Sequence, residues 1–79
     1  MTRSEIFEGV NEVFRDVFDD EDITVNDATT AADIEDWDSL EHINLVVAIE
    51  ERFGVKFTMP EVNGMKNVGD MVTILEERV

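Results

Sequence analysis

An all-α fold, a small bundle of three substantial helices and one short one, is what this sequence predicts. Three observations carry that prediction. Apolar residues recur at helical spacing in three separate stretches, residues that cap helix starts precede each of them, and the single alternating segment, Val55-Lys56-Phe57-Thr58, has no second strand to pair with. With 79 residues the chain has room for one core, so residues 1–79 are expected to form a single domain. The hydrophobic fraction of 43% is ordinary for a globular chain. A domain of this size holds a net stability of about 3–5 kcal/mol unless something staples it.

The first helix opens with Thr2 and Glu5 in capping-box register. Ile6, Val10, Val13 and Val17 follow at helical spacing, flanked by Phe7, Phe14 and Phe18. The pattern ends at Asp19-Asp20-Glu21-Asp22, acids that are unfavourable at the negative end of a helix dipole. Residues 19–37 then read as a long connection without periodicity, anchored by Ile23, Val25 and Ile34. Loops of this length inside compact domains are uncommon, and either serve a function or signal a misassigned element; the functional reading is favoured here. This one leads directly to Ser39.

The second helix takes Asp38 as N-cap, with Glu41 completing a capping box, and stops at Gly54. Leu45, Val46, Ile49 and Phe53 form its inward face. Leu40, Ile43 and Val47 form a second apolar strip, rotated away and expected to stay exposed. Val55–Thr58 reads as an extended connector, and Met59-Pro60-Glu61-Val62 as a short helical turn with Pro60 at a permitted first-turn position. Asn67 caps the last helix, whose apolar face is Val68, Met71, Val72, Ile74, Leu75 and Val79.

Several function classes are excluded by composition. Without cysteine there is no disulfide and no thiol-based metal or redox site, and one histidine, His42, does not make a zinc site. The acidic run at 19–22 lacks the glycine and spacing of an EF-hand loop, so no dedicated metal site is expected. The formal net charge is −14, which disfavours nucleic acid and anionic membrane surfaces. No Lys or Arg lies between Arg15 and Arg52, a one-sign field that steers basic partners. Such crowding also repels itself. Added salt or magnesium is therefore expected to raise the melting temperature in thermal unfolding followed by circular dichroism, and a flat response would mean the acids repel little. The longest apolar run, Leu45 to Ile49, is too short to span a membrane, and nothing resembles a signal peptide, so the expected compartment is the cytoplasm. Met1 at the start and helix-like residues at the end give the expectation of a complete, free-standing protein, and a monomer is expected.

Ser39 is the candidate working residue. It occupies the first helical position after a capping Asp, where free N–H groups and the helix dipole favour an attached anion, and where a side chain points outward. A catalytic reading with His42 is disfavoured, because no orienting third group, oxyanion site or G-x-S-x-G elbow accompanies the pair. His42 itself reads as a solvated helix residue.

Trp37-Asp38-Ser39-Leu40, followed by Ile43-Asn44-Leu45-Val46-Val47-Ala48-Ile49-Glu50-Glu51-Arg52-Phe53-Gly54-Val55, resembles the phosphopantetheine attachment region of acyl carrier proteins, and the likeness covers essentially the whole chain. The resemblance implies a non-catalytic carrier. Ser39, flanked by Asp38 and Leu40, would be esterified with 4′-phosphopantetheine donated by coenzyme A, and the arm's thiol would hold acyl intermediates as thioesters in fatty acid, polyketide or specialised lipid biosynthesis. It implies a phosphopantetheinyl transferase and acyl-loading and acyl-processing enzymes with basic patches as partners, recognised through Glu41, Val47 and Glu51. It implies an acyl cavity lined by Val46, Ile49, Val62 and Met65. Trp37, His42 and Asn44 depart from the pattern of fatty-acid-synthesis carriers and favour a specialised pathway. A peptidyl or aminoacyl carrier is the nearest alternative within that chemistry. An acidic helical interaction module with an unmodified Ser39 is the alternative outside it.

Overall fold

The computed structural model describes residues 1–79 and contains four α-helices and no strand. Helix α1 spans Arg3–Val17, α2 Ser39–Phe53, α3 Met59–Gly64 and α4 Val68–Arg78. The core is built by Ile6, Val10, Val13 and Phe14 of α1, Leu45 and Ile49 of α2, and Val68, Met71, Val72 and Leu75 of α4. Val25 is the one loop residue in that cluster. Helix α3 contributes a single buried side chain, Val62, outside it. No helix is long and apolar enough to cross a membrane.

Helix starts follow the capping residues. Thr2 Oγ1 accepts from the Glu5 N–H at 3.1 Å, and Glu5 returns the bond by accepting from the Thr2 N–H at 2.9 Å. Asn67 Oδ1 accepts from the Asp70 N–H at 2.8 Å. At α2 only half of the expected box forms. Asp38 Oδ1 accepts from the Glu41 N–H at 2.8 Å, but the Asp38 N–H is already given to the Asp36 carbonyl, and the Glu41 carboxylate accepts from Asn44 Nδ2 at 3.2 Å. A complete box instead opens α3, where Thr58 and Glu61 satisfy each other's backbone N–H groups.

Helix α1 ends before the acidic run, with the Phe18 N–H bonded to the Phe14 carbonyl and the Asp20 N–H to that of Arg15. Asp19, between them, takes a left-handed conformation at φ 49°, which aspartate tolerates better than most residues. The long connection is stitched down on both sides. Arg15 Nε donates to the Ile23 carbonyl at 2.8 Å, and Asn11 Oδ1 accepts from the Val25 N–H at 2.7 Å. Further on, the Asp27 and Thr29 carbonyls accept from the Gly69 and Val68 N–H groups, two of the four that a helix start leaves unpaired. The approach is close enough that a Cβ at position 69 would lie 2.7 Å from the Asp27 carbonyl oxygen, so only glycine fits. Ala31–Asp33 form a 3₁₀ turn that the absence of periodicity had concealed.

Helix α3 is tied to α4 by the ion pair between Glu61 and Arg78, at 2.6 Å. The Arg78 guanidinium, helped by the Thr58 N–H, holds the Glu61 carboxyl at about 2, below its ordinary 4.5. A carboxyl depressed in the fold stabilises it above the unfolded pKa and loses that contribution as pH falls through the folded one. The pair is therefore expected to help fully above pH 4.5 and to fade toward pH 2. Melting temperatures of the parent and Glu61→Gln, compared across that window, should converge at its acid end. Curves separated by a constant gap would show that the pair is not what acid removes.

Candidate attachment site at the head of helix α2

Trp37 sets the position of everything that follows it. Its ring meets Phe14 edge-on at 5.2 Å, lies 6.4 Å from Phe18, and stacks on His42 at 5.9 Å. Trp37 precedes the N-cap and His42 is the fourth helical residue, the two positions of a hydrophobic staple that fixes how a chain enters a helix. Helix α1 thereby holds the loop, and the loop aims α2.

His42 is not a solvated residue. Its Nδ1 lies 3.3 Å from Trp37 Nε1 and its Nε2 lies 3.2 Å from the Val62 carbonyl oxygen. An indole N–H can only donate, so Nδ1 accepts and the proton on Nε2 is directed at Val62. That carbonyl lies in the last turn of α3, where no intrahelical N–H remains for it. Both ring nitrogens are engaged elsewhere, so His42 cannot serve Ser39 as a base.

Ser39 is exposed at the first position of α2. The first intrahelical bond runs from the His42 N–H to the Asp38 carbonyl, and the Asp38 side chain takes the Glu41 N–H. The N–H groups of Ser39 and Leu40 are left over. Beside Ser39 opens a cleft of about 540 Å³ whose lining is half apolar, with Trp37, Ile43, Val62, Met65 and Met71, and half polar, with His42, Asn63 and Lys66 among it. Of the four residues expected to line an acyl cavity, the structure brings Val62 and Met65 to this cleft. Val46 and Ile49 are buried and are not on its wall; His42 lies between them and Ser39 along the same face of α2.

The expected outer strip is exposed: Leu40 by 69%, Ile43 by 47% and Val47 by 48%. Glu41 is half-buried, and Glu51 is exposed at the rim of a shallower hollow between α1 and α2. All four arginines are engaged within the fold. Arg3 pairs with Asp27 and Glu76, Arg15 holds the loop, Arg52 pairs with Glu12, and Arg78 pairs with Glu61.

Ser39 is thus exposed at a helix start with an open cleft beside it. The sequence matches the phosphopantetheine attachment site family over residues 8–75. It is 39% identical to the acyl carrier protein of Petrotoga mobilis, across 100% of this chain and 93% of that one. Identity to the meromycolate extension acyl carrier protein of Mycobacterium leprae is 30%, across 98% of this chain and 67% of that one. The fold superposes on the solution structure of a holo acyl carrier protein from Geobacter metallireducens with a TM-score of 0.85 and 39% identity, covering 91% of this chain and 83% of that one. The chain belongs to the acyl carrier protein family. It is a non-catalytic carrier whose cofactor is covalent phosphopantetheine, and it works with biosynthetic enzymes and a phosphopantetheinyl transferase.

Two features of the site escaped sequence reasoning. One was the aromatic pair Trp37 and His42, for which the staple spacing was an available signal. The other was the Val62 carbonyl as His42's partner, for which no local signal exists.

Proposed function

We propose that Ser39 carries the phosphopantetheine and that the cleft beside it shelters the acyl group in transit. The observation that carries this reading is the exposed hydroxyl at the first position of α2, next to two unused N–H groups and at the mouth of the cleft. The residues present fit the group. The Ser39 and Leu40 N–H groups and the positive end of the α2 dipole suit a phosphate, which the surrounding acids would otherwise repel. When bound, the group supplies a terminal thiol on which acyl groups are carried. The chain's part is to hold that attachment point rigid through the Trp37 staple and to offer Ile43, Val62, Met65 and Met71 as apolar cover.

Partner enzymes with basic patches are read as docking on α2. Glu41 and Glu51 supply charge there, and Leu40, Ile43 and Val47 an apolar centre. Trp37, His42 and Asn44 support service in a specialised pathway, polyketide, lipid-modifying or other secondary, over bulk fatty acid synthesis. The cytoplasm is the compartment that fits such partners.

The test is loading. The apoprotein, incubated with coenzyme A and a broad-specificity transferase, should gain one phosphopantetheine in its intact mass, and peptide mapping should place it on Ser39. No gain, or a gain mapped to another residue, sinks the assignment.

A further inference from the structure

We infer that His42 is a latch that sets the depth of the acyl cleft and so restricts the length of chain this carrier shelters. The inference rests on Ser39 as the attachment residue. Ser39, His42, Val46 and Ile49 follow one another along one face of α2, at spacings of three, four and three residues. The cleft that starts at Ser39 reaches His42 and goes no further down that face: Val46, 5% exposed, and Ile49, fully buried, lie beyond it and off its wall. At that point on the face stands a crosslink. His42 bridges α2 to the last turn of α3 through the Val62 carbonyl, and Trp37 clamps the imidazole from the other side by its N–H and by stacking. Both bonds of the bridge satisfy polar groups that are partly buried, so opening it leaves a carbonyl and an indole N–H unpaired. A short acyl group fits above the latch against Ile43, Val62, Met65 and Met71. A chain that continues down this face of α2 toward Val46 must break the bridge, and one that does not stays in the outer cleft against Met65 and Met71. His42 is thus a specificity-determining residue that touches the cleft and acts by holding α3 against α2.

The experiment loads the holoprotein with butyryl, octanoyl or dodecanoyl groups and reads the gain in melting temperature over the unacylated form. In the parent the gain should level off by octanoyl. In His42→Ala it should keep rising between octanoyl and dodecanoyl, by on the order of 5 °C, as newly opened apolar surface is covered. His42→Gln keeps a side-chain donor for the Val62 carbonyl and should restore much of the plateau, which mere loss of packing would not. Because His42→Ala can fail to fold, amide shifts of the dodecanoyl-loaded parent provide a second reading: changes at Ile43, Val62, Met65 and Met71 without changes at Val46 and Ile49 support the latch. A parent gain that climbs through dodecanoyl, or shifts that reach Val46 and Ile49, overturns it. Loading is checked first by mass and mapping. Absence of a group on Ser39 removes the attachment reading and the latch together, whereas a loaded protein with parallel length series removes the latch alone.

Discussion

Ser39→Ala is expected to lose all phosphopantetheine loading while melting almost where the parent does. The side chain is exposed and sits inside the helix start without serving as its cap, so its removal belongs with surface substitutions, at about 0.5 kcal/mol or less. Asp38→Ala is the informative contrast. Asp38 does cap α2, through the Glu41 N–H, and removing a cap of this kind costs about 1 kcal/mol. Intact mass reads the loading and thermal unfolding reads the fold. A Ser39→Ala protein that still gains the group would end the assignment. One that fails to fold would show that the residue is structural.

Phe14→Ala should have the largest effect on stability. Phe14 is fully buried in the core and its ring also meets Trp37 edge-on at 5.2 Å. Truncations of this kind cost about 3–5 kcal/mol. A domain of this size has about the same to lose. The variant is expected to be largely unfolded at room temperature, or to unfold in urea with a midpoint near zero. Trp37 is the only tryptophan, so its fluorescence reports on the head of α2 directly and should shift to the red as Phe14 is removed. A cooperative urea transition at the parental midpoint would mean that the core closes over the gap.

Local signals in the sequence were enough for most of the fold. Thr2, Asp38 and Asn67 bond within three residues, so their roles depend on nothing distant, and the helices begin where those residues stand. The exposed strip on α2 was also legible, since a helix apolar around so much of its girth cannot bury all of it in a small domain. What stayed hidden depends on closure of the chain. His42 looked solvated because its partner carbonyl is 20 residues away, and it reaches it only once α3 has folded back. The reciprocal bond at Glu41 failed for a local but subtle reason: the Asp36 carbonyl had already claimed the Asp38 N–H. The 3₁₀ turn at Ala31–Asp33 is too short to show a period. For the candidate site, the serine and its exposed strip could be read from the chain, but the cleft could not, because its lining is gathered from α2, α3, α4 and the loops between them.

The engagement of every arginine with the protein's own carboxylates or carbonyls bears on how the molecule meets its partners. Those cations are already committed to holding helices and loop together, which leaves Lys56 and Lys66 as the ones outside such pairs, neither of them on α2. An approaching basic surface meets a molecule of net charge −14, with Lys66 on the wall of the cleft beside Ser39, so encounter should be fast and should slow as ions are added. Salt then acts with opposite signs on the two halves of this protein's life: it tightens the lone molecule and delays each handover.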